Sequence, residues 1–228
     1  MKKLIFYSKS NNLILKLKSL IIIATIHKDK LRKLQERYHD APSSPEYGKY
    51  LAVRYYMFIN LKNLVMLGLD RSKKKNILDI GTGCGYFPFA CQHYGHRCMT
   101  IDLGVNPLFN DFRKLFGVPC TLWQVRAYEP LPDMGMKFDI ITAFLVRFNI
   151  NNLTDNWGEA PDELSNYWGV SEWEFFINDL KENQLNENGK IFILLNKEYH
   201  SEGRNYSEEL HQFFLSAGAS VNGGTIIF

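Results

Sequence analysis

The sequence predicts an α/β protein: a doubly wound, mostly parallel sheet of seven strands with helices on both faces, preceded by a helical extension. Three observations predict it. Residues 76–80 (NILDI) form a short apolar run closed by glycines, as expected of a strand buried on both faces. After that run, strand-like and helix-like segments alternate, the pattern of parallel strands joined by crossover helices. Before it, apolar residues recur at helical spacing. At roughly 150 residues per domain, 228 residues fit one core fold with an extension, and we place the extension, a lid, at 1–70 and the ligand-binding domain at 71–228.

The N-terminal elements come first. Leu13, Leu17, Leu20, Ala24, Leu31, Leu34 and Tyr38 recur at three, four or seven with lysines and arginines between them, which predicts one amphipathic helix or two in succession. Residues 41–45 (APSSP) are turn chemistry, and a second helical pattern runs from about Glu46 to Leu67. Residues 71–75 (RSKKK) form a solvated connection. Further strands are expected near Arg97–Ile101, Cys120–Val125, Phe138–Phe144 and Lys190–Leu195, with terminal strands at Ala219–Val221 and Thr225–Phe228. Helices are expected near Tyr86–Tyr94, Pro107–Phe116, Ser171–Leu185 and Ser207–Ser216. Ser171 and Glu174 have capping-box spacing in front of Trp173, Phe175, Phe176 and Leu180.

Composition narrows the class. Hydrophobic residues at 46% and charged residues at 22% suit a globular chain rather than a disordered or coiled-coil one. Four cysteines are too few for a disulfide scaffold, and the start of the chain lacks a signal-peptide arrangement, so a cytoplasmic setting is expected. The most apolar unbroken stretch, Leu20–Ile26, falls far short of the roughly 20 residues that cross a bilayer, so no membrane span is expected. The net charge of +3 hides a division: residues 1–80 carry 17 Lys or Arg against 6 Asp or Glu, and the rest carries 10 against 18. Such asymmetry marks an anionic partner, or two parts of one protein that attract each other.

The chemistry concentrates at residues 77–85 (ILDIGTGCG), where a buried strand runs into GxGxG and then a helix. Glycines there permit backbone angles and ligand approach that a Cβ forbids, and amides at a helix start are available to a ligand. In open α/β sheets the binding crevice lies outside the carboxyl ends of the strands, where strand order reverses. Twenty-one residues after Gly81, Asp102 ends the second strand, where a carboxylate accepts hydrogen bonds from both ribose hydroxyls. A dinucleotide fingerprint reads GxGxxG; here the spacing is GxGxG, and Asp79 stands two residues before the first glycine, where it repels a pyrophosphate and suits a cationic amino group. That favours S-adenosylmethionine over NAD.

This segment resembles the class I S-adenosylmethionine-dependent methyltransferases, a Rossmann-like family whose first motif ends in acid, any residue, GxGxG. The resemblance covers Asn76 to about Asn196. It implies that Gly81, Thr82, Gly83 and Gly85 line the methionine part, that Asp79 engages its amino group, that Asp102 holds the ribose and that Leu103 lies against the adenine. Arg126 and Ala127 occupy the place where the family has an acidic and then a small residue near the adenine amine; Arg126 departs from that acid, which leaves a backbone contact there. Phe138 and Asp139 (FDIITAF) look like the start of the fourth strand, which places Ala143 and Phe144 near the sulfonium. Gly189–Asn196 (GKIFILLN) resembles the fifth.

Methyl transfer from a sulfonium needs no metal and no covalent nucleophile, since positioning suffices. Asn149, Asn196, Glu198, Tyr199 and His200 follow the fourth and fifth strands as candidate bases, and none is singled out. Asn149–Val170 is a long loop in which Trp157, Tyr167 and Trp168 either wall an acceptor pocket or plug the loop onto the core, while Trp173 is expected in the core. Tyr47, Tyr50 and Tyr55 of the extension are expected to pack rather than to contact an acceptor. His93 and His96 lack the further ligands a metal site needs and are expected at the surface or at a helix cap; Cys84, Cys91 and Cys98 are spaced by seven, so no zinc is expected. The expected partner is a small-molecule acceptor. A nucleic-acid or protein acceptor using the basic N-terminal region, and a non-catalytic cofactor-binding scaffold, are the alternatives. The basic helices are read as a solvated face ahead of a lipid or RNA surface.

Overall fold

A computed structural model describes residues 9–39, 45–148, 167–195 and 207–228. The chain divides into two compact units. One takes the described residues up to Lys75 together with Thr82–Cys98 and Asn106–Cys120; the other takes Asn76–Gly81, Met99–Val105 and the rest from Thr121. Two of the expected crossover helices therefore cluster with the N-terminal helices.

In the helical unit, α1 (Lys9–Ala24) and α2 (Lys28–His39) are two helices in succession. The buried face of α1 is Leu15, Ser19 and Ile22, not the stripe through Leu13, Leu17 and Leu20, which is exposed. The helix is apolar on two faces, and spacing alone does not say which one a neighbour covers. The second helical pattern breaks into α3 (Pro45–Tyr50) and α4 (Val53–Met66). At the break, the Leu51 carbonyl accepts the Gln35 side-chain amide at 3.2 Å. Helix α4 buries Val53, Met57, Leu61 and Leu64, spaced by four, four and three, as one stripe demands. Helices α5 (Tyr86–His93) and α6 (Pro107–Phe116) match the sequence expectation closely. The limits of α6 are local chemistry: Asn106 Oδ1 accepts from the Leu108 and Phe109 amides, Pro107 opens the first turn, and Gly117 closes the helix at φ +65°. Asp111 of α6 receives Arg37 and the Tyr38 hydroxyl of α2, at 2.8 and 2.9 Å.

The other unit holds the sheet: β1 (Asn76–Ile80), β2 (from Arg97 to Asp102), β3 (Thr121–Leu122), β4 (Phe138–Phe144), β5 (Leu185–Leu194), β6 (Ser220–Asn222) and β7 (Thr225–Ile227), in the order β3-β2-β1-β4-β5-β7-β6. Pairs β1/β4, β2/β3 and β4/β5 are parallel, and β7 enters antiparallel between β5 and β6. This is the seven-stranded, mostly parallel α/β class that the sequence predicts. Helices α7 (Val170–Asp179) and α8 (Glu208–Ser216) contribute Trp173, Phe176, Ile177, Leu210 and Phe214 to one core with Leu78, Ile80, Ile141, Ile191 and Ile193 of the strands.

Three expectations need correction here. The strand at Cys120–Val125 is only two residues long, since pairing on this edge stops at Asp102↔Leu122. The fifth strand starts at Leu185, not Lys190, and the helix before it turns into a π turn at Leu180–Gln184. Between the pairs Phe138↔Leu185 and Ile140↔Lys190 the ladder is irregular, and from Ile141↔Ile191 to Phe144↔Leu194 it is regular. Helix α7 starts at Val170 with Gly169 as its cap, and Glu172 Oε2 accepts the Gly169 amide at 2.9 Å, so Ser171 and Glu174 are not its capping box.

Candidate functional site

Strand order reverses between β1 and β4, since β2 and β3 lie on one side and β5 on the other. In such sheets ligands bind beyond the carboxyl ends at that switch. The sheet unit places Asp79, Gly81, Asp102, Leu103, Ala143 and Phe144 at or just past the carboxyl ends of β1, β2 and β4. Asp79 is buried, and its Oδ1 accepts the Thr142 hydroxyl of β4 at 2.7 Å. Gly81 has φ +67° and donates its amide to the Ile101 carbonyl at 2.8 Å. A Cβ at Gly81 would stand 2.4 Å from Val146 Cγ2, so a close neighbour in the protein itself accounts for this glycine.

Asp102 is half-buried and held by an Asx turn, its Oδ1 accepting the Gly104 amide at 3.1 Å. Around it, Leu103, Val105, Leu122 and Trp123 are all exposed apolar side chains that follow the ends of β2 and β3 or lie in β3. Ala143 packs in the hydrophobic core, while Phe144 is half-buried against the Phe192 ring at 5.5 Å. Ala127 is partly buried against the core. The guanidinium of Arg126 turns to Gln124 Oε1 at 3.1 Å and Glu129 Oε2 at 3.5 Å.

The other loop residues belong to the helical unit. Gly83 and Gly85 have φ +54° and +78°. The Gly83 carbonyl accepts Arg113 Nη1 at 2.6 Å, and a Cβ on Gly85 would meet Arg113 Cγ at 3.2 Å. A Cβ at Gly83 would meet only Phe109, at 3.7 Å. Three buried polar atoms of this unit have no hydrogen-bond partner among the described residues: Asn12 Oδ1 of α1, Thr82 Oγ1, two positions past β1, and Asn106 Nδ2, four positions past β2. An unmet buried polar group costs roughly 1–3 kcal/mol, and those at Thr82 and Asn106 follow the carboxyl ends of β1 and β2, where a polar ligand would satisfy them. Tyr86 donates its hydroxyl to the Tyr50 carbonyl at 2.8 Å, and burial pushes its pKa far up.

Some functional candidates were not read from the sequence. Thr142 is hidden inside the mostly apolar FDIITAF run, and Asn106 was visible only as the Asn-Pro pair that opens α6. The non-glycine residues with positive φ among the described residues are Tyr128 at +59° and Leu145 at +55°. Leu145 directly follows β4 and is exposed; Tyr128 lies beyond β3. Such conformations cost of order 1–3 kcal/mol and cluster at functional sites. Tyr128 donates its hydroxyl to Glu172, and that bond first of all raises the tyrosine pKa. Partial burial pulls the Glu172 carboxyl upward, but bonds from Tyr128, Gly169 and Ser171 outweigh it, and the value is depressed.

Other sequence expectations resolve differently. Trp168 is buried against Phe148, Trp173 and Phe176 at 4.9–5.5 Å, the plug rather than a pocket wall, and Trp173 is in the core as expected. Tyr50 packs on Tyr56 and Phe109. His96 is not a surface residue: its buried ring takes the Lys75 amide on Nδ1 at 3.2 Å and meets the Leu69 carbonyl through Nε2 at 2.9 Å. Asp139 of the FD pair sits at the amino end of β4, accepting from the Asn76 amide at 2.8 Å. Asn149, Trp157, Asn196, Glu198, Tyr199, His200 and the Tyr47 side chain lie outside the described residues.

No family model matches the sequence, and no curated protein matches it either. Solved structures do. DesVI of Streptomyces venezuelae aligns with a TM-score of 0.50 at 12% identity, over 75% of this chain and 90% of its own. A SAM dependent methyltransferase from Aquifex aeolicus aligns at 0.44 with 18% identity, over 89% and 98%. The ribosomal protein L11 methylase from Lactobacillus delbrueckii subsp. bulgaricus aligns at 0.42 with 18% identity, over 73% and 75%. At these identities the likeness is one of fold, the mostly parallel seven-stranded α/β fold. Within this fold, the reversal of strand order falls where the sequence locates its chemistry, at the end of β1.

Proposed function

We propose that this chain binds S-adenosyl-L-methionine and transfers its methyl group to a small-molecule acceptor. The observation that carries the reading is the edge of the sheet unit, where Asp79 and Asp102 end neighbouring strands and an exposed apolar group, Leu103, Val105, Leu122 and Trp123, adjoins the second of them. A nucleoside needs both parts, a carboxylate for the ribose hydroxyls and an apolar surface for the base.

The donor set fits the group. Asp102, oriented by the Gly104 amide at the end of β2, is the carboxylate that accepts from the ribose hydroxyls. Leu103 lies against the adenine, and because the Arg126 side chain is engaged by Gln124 and Glu129, residues 126 and 127 offer it backbone. Asp79 takes the ammonium of the amino acid tail. In the loop that the chain enters after Gly81, Thr82 Oγ1 is a hydroxyl in want of a partner, suited to the tail carboxylate, and Gly83 and Gly85 supply the backbone that lines the tail. Phe144, with the backbone of Ala143, stands by the reacting centre. When bound, the sulfonium would supply a methyl whose carbon an acceptor lone pair attacks in line as the methyl–sulfur bond breaks and the neutral thioether leaves. The contribution of the protein is to hold acceptor and methyl as a near-attack pair, worth roughly 7–11 kcal/mol, and to exclude water.

Calorimetry with S-adenosylmethionine, S-adenosylhomocysteine and NAD tests the reading. Heat is expected with the first two and not with the third, and silence from the first two refutes it. Asp102→Ala should weaken binding by at least about tenfold, since each charge-assisted bond contributes about 1.5–3 kcal/mol. Transfer of labelled methyl to fractionated cell extract then identifies the acceptor class.

A further inference from the structure

Helix α1 has an inner and an outer apolar face. The inner one, Leu15, Ser19 and Ile22, is buried in the helical unit, where α1 packs on α4. On the other side Leu13, Ile14, Leu17, Leu20 and Ile21 are 62, 53, 55, 43 and 61% exposed among the described residues. At 3.6 residues per turn these five fall within an arc of about 120° centred on Leu17. Lys16 and Lys18 border that arc on either side. From Lys9 to Ala24 the helix has no Asp or Glu. Lys62 of α4 adds to the same border: its Nζ and that of Lys16 lie over the Phe58 ring, 5.7 and 6.0 Å from its centre. Two ammonium groups on one ring form a basic edge beside an aliphatic stripe.

Two occupants suit an aliphatic stripe, and charge decides between them. A second copy docked through this face would set the lysine rows of both helices against each other with no acid on either helix to offset them, and like-charge juxtaposition is costly. An anionic lipid surface answers both features: aliphatic side chains enter the headgroup–acyl boundary while lysines remain at phosphate level. No described helix is long and apolar enough to cross a membrane, so α1 would lie in the surface plane. We propose that the outer face of α1 docks this protein on the surface of an anionic lipid bilayer. The inference goes beyond methyl transfer and does not depend on it.

The test is cosedimentation of the full chain with phosphatidylcholine vesicles made with and without phosphatidylserine, for the wild type, for Leu17→Asp with Ile21→Asp, and for Lys16→Glu with Lys18→Glu. The wild type should sediment with the phosphatidylserine vesicles and be released by salt. The aspartate pair should lose at least about tenfold in partitioning, and the glutamate pair about fivefold for each lysine removed. The melting temperature without vesicles should be unchanged in the aspartate pair, because Leu17 and Ile21 are exposed. Equal behaviour on both vesicle types, or no sedimentation, overturns the proposal. So does a fall in melting temperature of the aspartate pair, which would show the stripe covered by the chain itself, or a wild-type dimer that the same pair splits.

Discussion

Replacing Gly81 by alanine separates two reasons for a glycine at the end of β1. The new Cβ would lie 2.4 Å from Val146 Cγ2, 3.3 Å from its Cγ1 and 3.4 Å from its Cβ. Ordinary carbon contacts are about 3.5–4.0 Å, so Val146 must move, and overpacking of this kind costs roughly 1–3 kcal/mol. Alanine at φ +67° adds about 1 kcal/mol of backbone strain. A loss of about 3 kcal/mol lowers the melting temperature by roughly 6–12 °C in a chain of this length. In a Val146→Ala background both γ carbons are gone and the nearest remaining atom is the Val146 Cβ, so Gly81→Ala should then cost only the strain, about 1 kcal/mol. Urea unfolding of the four proteins gives the coupling, expected near 2 kcal/mol in favour of the double variant. Calorimetry adds a second readout: because the missing Cβ points at Val146, the double variant should bind S-adenosylmethionine as the wild type does. Equal destabilisation by Gly81→Ala in both backgrounds would refute the packing argument.

Two further outcomes follow from hydrogen bonds of the same unit. Thr142→Val removes the hydroxyl that meets the buried Asp79 at 2.7 Å and should cost about 2 kcal/mol, as bonds to charged groups do; Thr142→Ser should restore it, and equal melting of the two variants contradicts the assignment. Glu172 is depressed from its ordinary 4.5, so its contribution is fully present above 4.5 and is lost as pH falls through the folded value. Tyr128, raised from 10.0, keeps its contribution below 10.0 and loses it as pH rises through the raised value. The melting-temperature gap between wild type and Glu172→Gln should therefore be widest between those limits and close at both ends, and a gap independent of pH would count against the contact.

Where structure is set by neighbours in sequence, the sequence is easy to read. The limits of α6 follow from Asn106, Pro107 and Gly117, and β4 was found residue for residue because FDIITAF is short, mostly apolar and rich in β-branched and aromatic residues. Where the outcome depends on a distant partner, it is not. The inner face of α1 is chosen by α4, and a helix with two apolar faces carries no mark of that choice. His96 has the look of a surface residue, yet its ring is needed by backbone groups at Leu69 and Lys75. The candidate site shows the same division. Asp79, Asp102 and the glycines follow from strand ends and spacing, whereas the strain at Leu145 is invisible inside an apolar run, and Thr142 gains its meaning only from the register that sets it beside Asp79.

The pairing of β4 with β5 is irregular near Phe138 and even from Ile141 onward. Slack is thus gathered at the amino ends, where Gly189 lies against Leu185 and Asn186 reaches Asp139 at 3.4 Å, and none is left beside Phe144. The two strands behave like a ruler with its loose end tucked away from the mark being measured. Length variation among residues 186–189 would be absorbed where it arises, and the spacing that any reaction at the opposite rim depends on would not register it.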